Sequence, residues 1–178
     1  MNTFIKKIGL INTVNEALAA LEEQMPLSPK LNEILKFSIQ AHYGQYRKSG
    51  EPYIIHPILV ATIAANYSND EDIVATALMH DVVEDTKYNL DFVRNQWGDE
   101  IAHMVDGLTK IDEIREHEFD SSKSTSKLMS SALTFRKMLI ASIDDPRVLV
   151  VKLCDRLHNM LTLSSLPAEK QIRIAEET

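Results

Sequence analysis

Apolar residues recur along this chain at helical rather than strand spacing. Ile5, Ile8, Ile11, Val14, Leu18 and Leu21 follow an approximately helical period between Met1 and Gln24. Ser28-Pro29 is a cap followed by proline at the first helical position. Leu31, Ile34, Leu35, Ser38, Ala41 and His42 continue that second helix, which should end near Gly44. Pro57 opens a third, through about Asn66. Asn69-Asp70 caps a fourth, whose apolar run from Ile73 to Met79 leads directly into His80-Asp81-Val82-Val83-Glu84-Asp85-Thr86. Short helices follow over Leu90 to Trp97, stopped by Gly98, and over Asp99 to Leu108. In the latter Ile101, Met104, Val105 and Leu108 face inward and His103 lies on the surface. Leu128 to Ile143 returns to helical spacing. Asp144-Asp145-Pro146 then caps a helix that is apolar nearly all round as far as Cys154, and so is expected to be central. A last segment, Ala168 to Thr178, carries Ile172 and Ile174. No run alternates with period two, so the expected fold is all-α, with about eight to ten helices.

Two stretches break this pattern. Gln45 to Pro57 contains the turn Ser49-Gly50-Glu51-Pro52, which puts Arg47 and Lys48 on a loop. A short extended or irregular piece, Tyr53-Ile54-Ile55, then leads to His56, whose backbone Pro57 stiffens. Lys110 to Lys127 is rich in serine and poor in apolar anchors. It reads as a long polar loop or frayed helix, either a lid or an ordinary connection, and His117 within it is not a candidate ligand.

The polar residues on the apolar helices carry the chemistry. Positions three and four apart lie over one another on a helix, so a continuous helix would stack His80 over Glu84, and Asp81 over Glu84 and Asp85. Three close carboxylates resist ionising together, and a divalent cation removes that conflict. Asp155 interrupts the apolar run of its helix, with Asn159 and Thr162 on the same face, while Arg156 and His158 are expected to point elsewhere. A buried aspartate needs a partner, either an arginine or a metal.

Composition narrows the setting. A chain of 178 residues is read as one domain, residues 1–178, with room for a substantial core. One cysteine excludes an internal disulfide and fits a reducing cytosol. No run approaches a membrane span, and a net charge of −7 argues against a general nucleic-acid surface. An anionic small substrate stays open, because a metal and local cations outweigh the mean field. The last segment stops while still reading as helix, as expected for the front of a longer chain.

His56, His80, Asp81 and Asp155 together make a mixed nitrogen and oxygen donor set suited to manganese, iron, cobalt, nickel or zinc. Glu84 and Asp85 are then placed to handle a water on that metal and the leaving group. No serine or cysteine stands in a nucleophile arrangement, and no glycine-rich phosphate loop is present. The expected chemistry is metal-assisted hydrolysis by water.

A distant His, then His-Asp, then a later Asp is the pattern of the HD phosphohydrolases. The stretches RKSGEPYIIHP from Arg47, VDGLTKI from Val105, HDVVEDT from His80 and VKLCDRLHNM from Val151 resemble the hydrolase domain of the RelA/SpoT alarmone enzymes. The resemblance covers about residues 28–178. It implies an HD-domain helical bundle using Mn2+ to remove pyrophosphate from the 3′ position of (p)ppGpp, in the cytoplasm. It also implies His56, His80, Asp81 and Asp155 as metal ligands and Glu84 and Asp85 as catalytic acids. Arg47, Lys48, Asn159 and Thr162 would bind the nucleotide, with Arg47 against the guanine. Two positions depart from the family pattern: Cys154 in place of a small alanine, and Leu161 in place of a basic residue. The competing readings are an HD nucleotidase or phosphodiesterase for another nucleotide, and a non-catalytic alarmone-binding module. The intact His-Asp motif favours activity.

Overall fold

The computed structural model describes residues 3–121, 144–163, 168 and 171–172, with the backbone alone over 112–121. The expected helix Leu128–Ile143, His117, the end of the polar stretch and most of the last segment lie outside the described residues. Nine helices are present among the described residues: α1 (Thr3–Ile8), α2 (Val14–Gln24), α3 (Pro29–Ala41), α4 (Ile55–Tyr67), α5 (Glu71–Met79), α6 (Val82–Asp85), α7 (Leu90–Trp97), α8 (Asp99–Ser121) and α9 (Pro146–Leu161). They contain no strand, only an isolated bridge between Tyr46 and Pro52. The chain is all-α.

Sequence signals account for most of these boundaries. The first apolar period is divided between α1 and α2, because Thr13 accepts from the Glu16 amide and restarts the helix after Gly9. Ser28 caps α3 through Leu31 N and also donates to Glu71 Oε2, joining the starts of α3 and α5. Gly98 ends α7 at φ 98°, a left-handed conformation that favours glycine. The helix after it continues past Leu108 to Ser121, so the first part of the stretch read as a polar loop or frayed helix is helical.

The core is built around α4, which packs against α2, α5 and α9. Every residue from Ile55 to Ala65 is buried, His56 included. A helix apolar on all sides must be surrounded. Helix α5 lies beside it and also meets α3 and α8. Gly107 lets α8 approach α9 closely, since an added Cβ would stand 3.0 Å from Val148 Cγ2. Helix α9 is central, as expected, but not uniformly apolar: Lys152 is buried and Leu153 is exposed.

The start of α9 is fixed by Asp145, whose carboxylate accepts from the Arg147 amide and side chain. Arg147 also reaches Glu100 Oε2 on α8 at 2.6 Å. Replacing Asp145 by alanine should cost about 1 kcal/mol through the lost cap. Thermal unfolding should then shift down by roughly 2–4 °C. The Arg147 bond holds the Asp145 carboxyl below the usual carboxylate range. Its stabilising effect is therefore present above that range and lost as pH falls through the depressed value.

Candidate metal centre and its loop

Three elements bring the polar residues together. His56 comes from the first turn of α4, His80 and Asp81 from the link between α5 and α6, and Asp155 from the middle of α9. The α5–α6 link is a correction to the continuous helix expected there. In a continuous helix the Ala77 and Leu78 carbonyls would face the Asp81 and Val82 amides. Here His80 Nδ1 donates to Ala77 O at 2.8 Å and Ser38 Oγ donates to Leu78 O at 2.7 Å. The helix breaks, and Asp81 instead starts α6, with its carbonyl accepting from Asp85 N. The same bond leaves His80 Nε2 facing the other polar groups.

The resulting cluster is tight. His56 Nε2 and His80 Nε2 are 3.3 Å apart. Asp81 Oδ2 lies 3.2 Å from His80 Nε2 and 3.7 Å from His56 Nε2. Asp155 Oδ1 lies 3.2 Å from His56 Nε2 and 4.0 Å from His80 Nε2. Ligand atoms held about 2.1 Å from one ion are separated from each other by roughly 3–4 Å. The spacing and the mixed donor set therefore fit a single divalent transition ion, with His56, His80 and Asp81 as the closest group.

Electrostatics point the same way. Burial pushes the His56 imidazole down from its ordinary value. Burial also opposes a proton on His80, but Asp81 and Asp155 outweigh it and bring that ring up to about 9. Both carboxyls sit below their usual range despite burial, Asp81 through His80 and His56, Asp155 through His56 and Lys152. The two ionised carboxylates thus set negative charge beside the Nε2 atoms, and a divalent cation answers that field.

Neighbouring side chains hold these groups. Lys152 Nζ is 3.2 Å from Asp155 Oδ2, so the cation beside this aspartate is a lysine rather than an arginine. His158 corrects the expectation that it points away: it is buried, and its Nδ1 is 2.8 Å from His56 Nδ1. That contact fixes the His56 ring and turns its Nε2 to the cluster. A signal for it was present, because Asp155, His158, Asn159 and Thr162 share one helical face. Burial and the neighbouring His56 and Arg47 keep the His158 ring well below its ordinary range, and so neutral.

The loop before α4 reaches the same place. Asn159 Nδ2 donates to Asp155 Oδ1 at 2.6 Å, and Arg47 donates to Asn159 Oδ1 at 2.8 Å and Thr162 Oγ1 at 3.4 Å. A line of bonds thus runs from the loop through Asn159 to the cluster. Lys48 stands exposed beside Arg47 and makes none of these contacts. Glu84 and Asp85 are exposed in α6, one turn beyond Asp81. Tyr53, absent from the motif reading, has its hydroxyl oxygen 2.7 Å from both Asp81 Oδ2 and Asp85 Oδ2. Leu161, where a basic residue was expected, packs against Gly9 after α1. Cys154 is buried, and burial pushes its thiol up to about 11.

The chain is similar to known proteins over most of its length. The family model described as "HD domain" matches residues 35–178. A GTP pyrophosphokinase of Myxococcus xanthus is 46% identical over 153 residues, 84% of this chain and 20% of that protein. A guanosine-3′,5′-bis(diphosphate) 3′-pyrophosphohydrolase of Haemophilus influenzae is 44% identical over 138 residues, 78% of this chain and 19% of that protein. The bifunctional (p)ppGpp synthase/hydrolase SpoT of Escherichia coli is 41% identical over 149 residues, 84% of this chain and 20% of that protein. The chain therefore spans about one fifth of the length of these curated relatives. A solved structure described as a metazoan ortholog of SpoT that hydrolyzes ppGpp matches with TM-score 0.64 and 26% identity, covering 84% of each chain.

Proposed function

The chain belongs to the HD domain family, and on that footing we propose that it is a metal-dependent hydrolase removing pyrophosphate from the 3′ oxygen of (p)ppGpp, which leaves GDP or GTP. The observation that carries this reading is the line of bonds from Arg47 through Asn159 to Asp155, which joins the loop to the candidate cation site. The names of the curated relatives and of the matching structure support the substrate. We take residues 1–178 as one hydrolase domain.

His56, His80, Asp81 and Asp155 would hold the ion, for which manganese is the proposed choice. The ion supplies Lewis-acid polarisation of the phosphoryl group and a more acidic water. Glu84 takes a proton from the attacking water, whose oxygen bonds to the 3′-linked phosphorus. As the bond from phosphorus to the 3′ oxygen breaks, Asp85 supplies that oxygen with a proton. The Arg47 plane stacks on guanine, Lys48 attends the phosphates, and Asn159 and Thr162 orient the base.

The direct test is incubation with ppGpp and manganese, reading pyrophosphate release. GDP and pyrophosphate should form, with GTP and cyclic dinucleotides largely intact. Faster cleavage of a plain nucleoside monophosphate would replace this reading with that of a general HD nucleotidase. Arg47→Ala should raise KM roughly tenfold, the equivalent of about 1.4 kcal/mol of lost stacking, with kcat little changed. Steady-state kinetics on ppGpp check this, and a loss confined to kcat would remove Arg47 from the binding role.

A further inference from the structure

Asp85 has little local support of its own. It ends α6, a helix of four residues, and its side chain is exposed. So short a helix does not hold its shape unaided. The support comes from the two ends of the Arg47 loop. Gln45 Nε2 donates to Asp85 O at 2.7 Å, and Gln45 Oε1 accepts from His42 Nδ1 at 2.8 Å. Tyr53 donates through its backbone amide to Gln45 O at 3.0 Å, closing the loop. Its ring stacks on His42 at 5.1 Å and meets the edge of His56 at 6.2 Å. From that fixed place its hydroxyl reaches Asp81 Oδ2 and Asp85 Oδ2, each at 2.7 Å.

We propose that Tyr53 is a positioning residue, whose hydroxyl ties the side chain of Asp85 to the ligand Asp81 and so keeps it facing the cluster before substrate arrives. The proposal rests on the hydrolase reading above. Its single proton bonds one carboxyl at a time: with Asp85 carrying the proton it later supplies, Asp85 donates to the phenol oxygen while the phenol donates to Asp81, which joins the two. The loop that recognises the nucleotide and the carboxyl that serves the leaving oxygen are thereby held by one segment, residues 42–53.

Tyr53→Phe tests this, because it keeps the ring between His42 and His56 and removes only the hydroxyl. On ppGpp with manganese, kcat should fall roughly 10–100-fold through misplacement of Asp85, with KM within about twofold of wild type. Manganese affinity, titrated without substrate, should fall by no more than the roughly 10–100-fold usual for a group that supports a ligand, so kcat is read at saturating manganese. In an Asp85→Asn background the same substitution should add almost nothing, since both changes act through one group. The proposal is overturned by wild-type kcat, by a loss confined to KM or manganese affinity, or by an undiminished effect in the Asp85→Asn background. A substrate-free readout separates this from the hydrolase reading. In the zinc-loaded protein the Tyr53 hydroxyl proton should give a slowly exchanging downfield proton NMR signal that moves in Asp85→Asn. If wild type leaves ppGpp intact, the hydrolase reading fails, and this signal still decides whether Tyr53 holds Asp85.

Discussion

Replacing Asp155 by alanine should strip the protein of most of its metal and abolish turnover of ppGpp. Asp155 Oδ1 sits 3.2 Å from His56 Nε2, in a pocket where His56, Lys152 and His80 keep its carboxyl ionised. A residue that only supports a ligand commonly costs 10–100-fold in metal affinity, so loss of a ligand should cost about 100-fold or more. Metal analysis of the purified variant checks this against close to one equivalent in the wild type. The substitution also takes a carboxylate from Lys152 and from Asn159. Asp155→Asn therefore belongs beside it, as it keeps the shape and the contact with Asn159 while lowering the ligand charge. Circular dichroism shows whether either variant is folded. A folded Asp155→Ala protein that retains full metal would make this aspartate a structural residue.

Glu84→Gln should lower turnover by roughly 10²–10⁴ while metal content stays at the wild-type level. Glu84 lies on α6 one turn past Asp81 and is exposed, and it is not among the His56, His80 and Asp81 group that could hold an ion. Glutamine preserves its size and removes its capacity to take a proton. The measurement is kcat on ppGpp paired with metal analysis of the same preparation. Loss of metal and activity together would place Glu84 among the ligands and leave the base to be found elsewhere.

These two variants separate the roles assigned from sequence, and the structure explains why the sequence reached so far. The all-α fold was legible because apolar spacing and caps agree along the chain: Ser28 before Pro29, Asp70 before Glu71, Asn89 before Leu90 and Asp145 before Pro146 all start helices where expected. Those are local signals, set by side chains that bond to amides two or three residues away. The candidate cation site was legible for a similar reason. Imidazoles and carboxylates set into apolar helices are costly unless they share a partner, and that cost is visible before any coordinates are.

What the tertiary structure decided depends on residues distant in sequence. The break after Met79 requires Ser38 of α3 to reach the Leu78 carbonyl, across forty positions of chain. The role of His158 depends on α9 packing against α4, which brings its ring onto His56. The cation beside Asp155 is Lys152, buried in a helix whose sequence reads as apolar. Tyr53 acquires its two carboxylates only when the loop closes over α6. Sequence by itself determined that the chain is helical and where most helices start, which residues are costly to bury and hence which chemistry they suit. Packing alone determined which of them meet, because a hydrogen bond needs its two atoms within about 3 Å and helical period carries no information about a neighbouring helix.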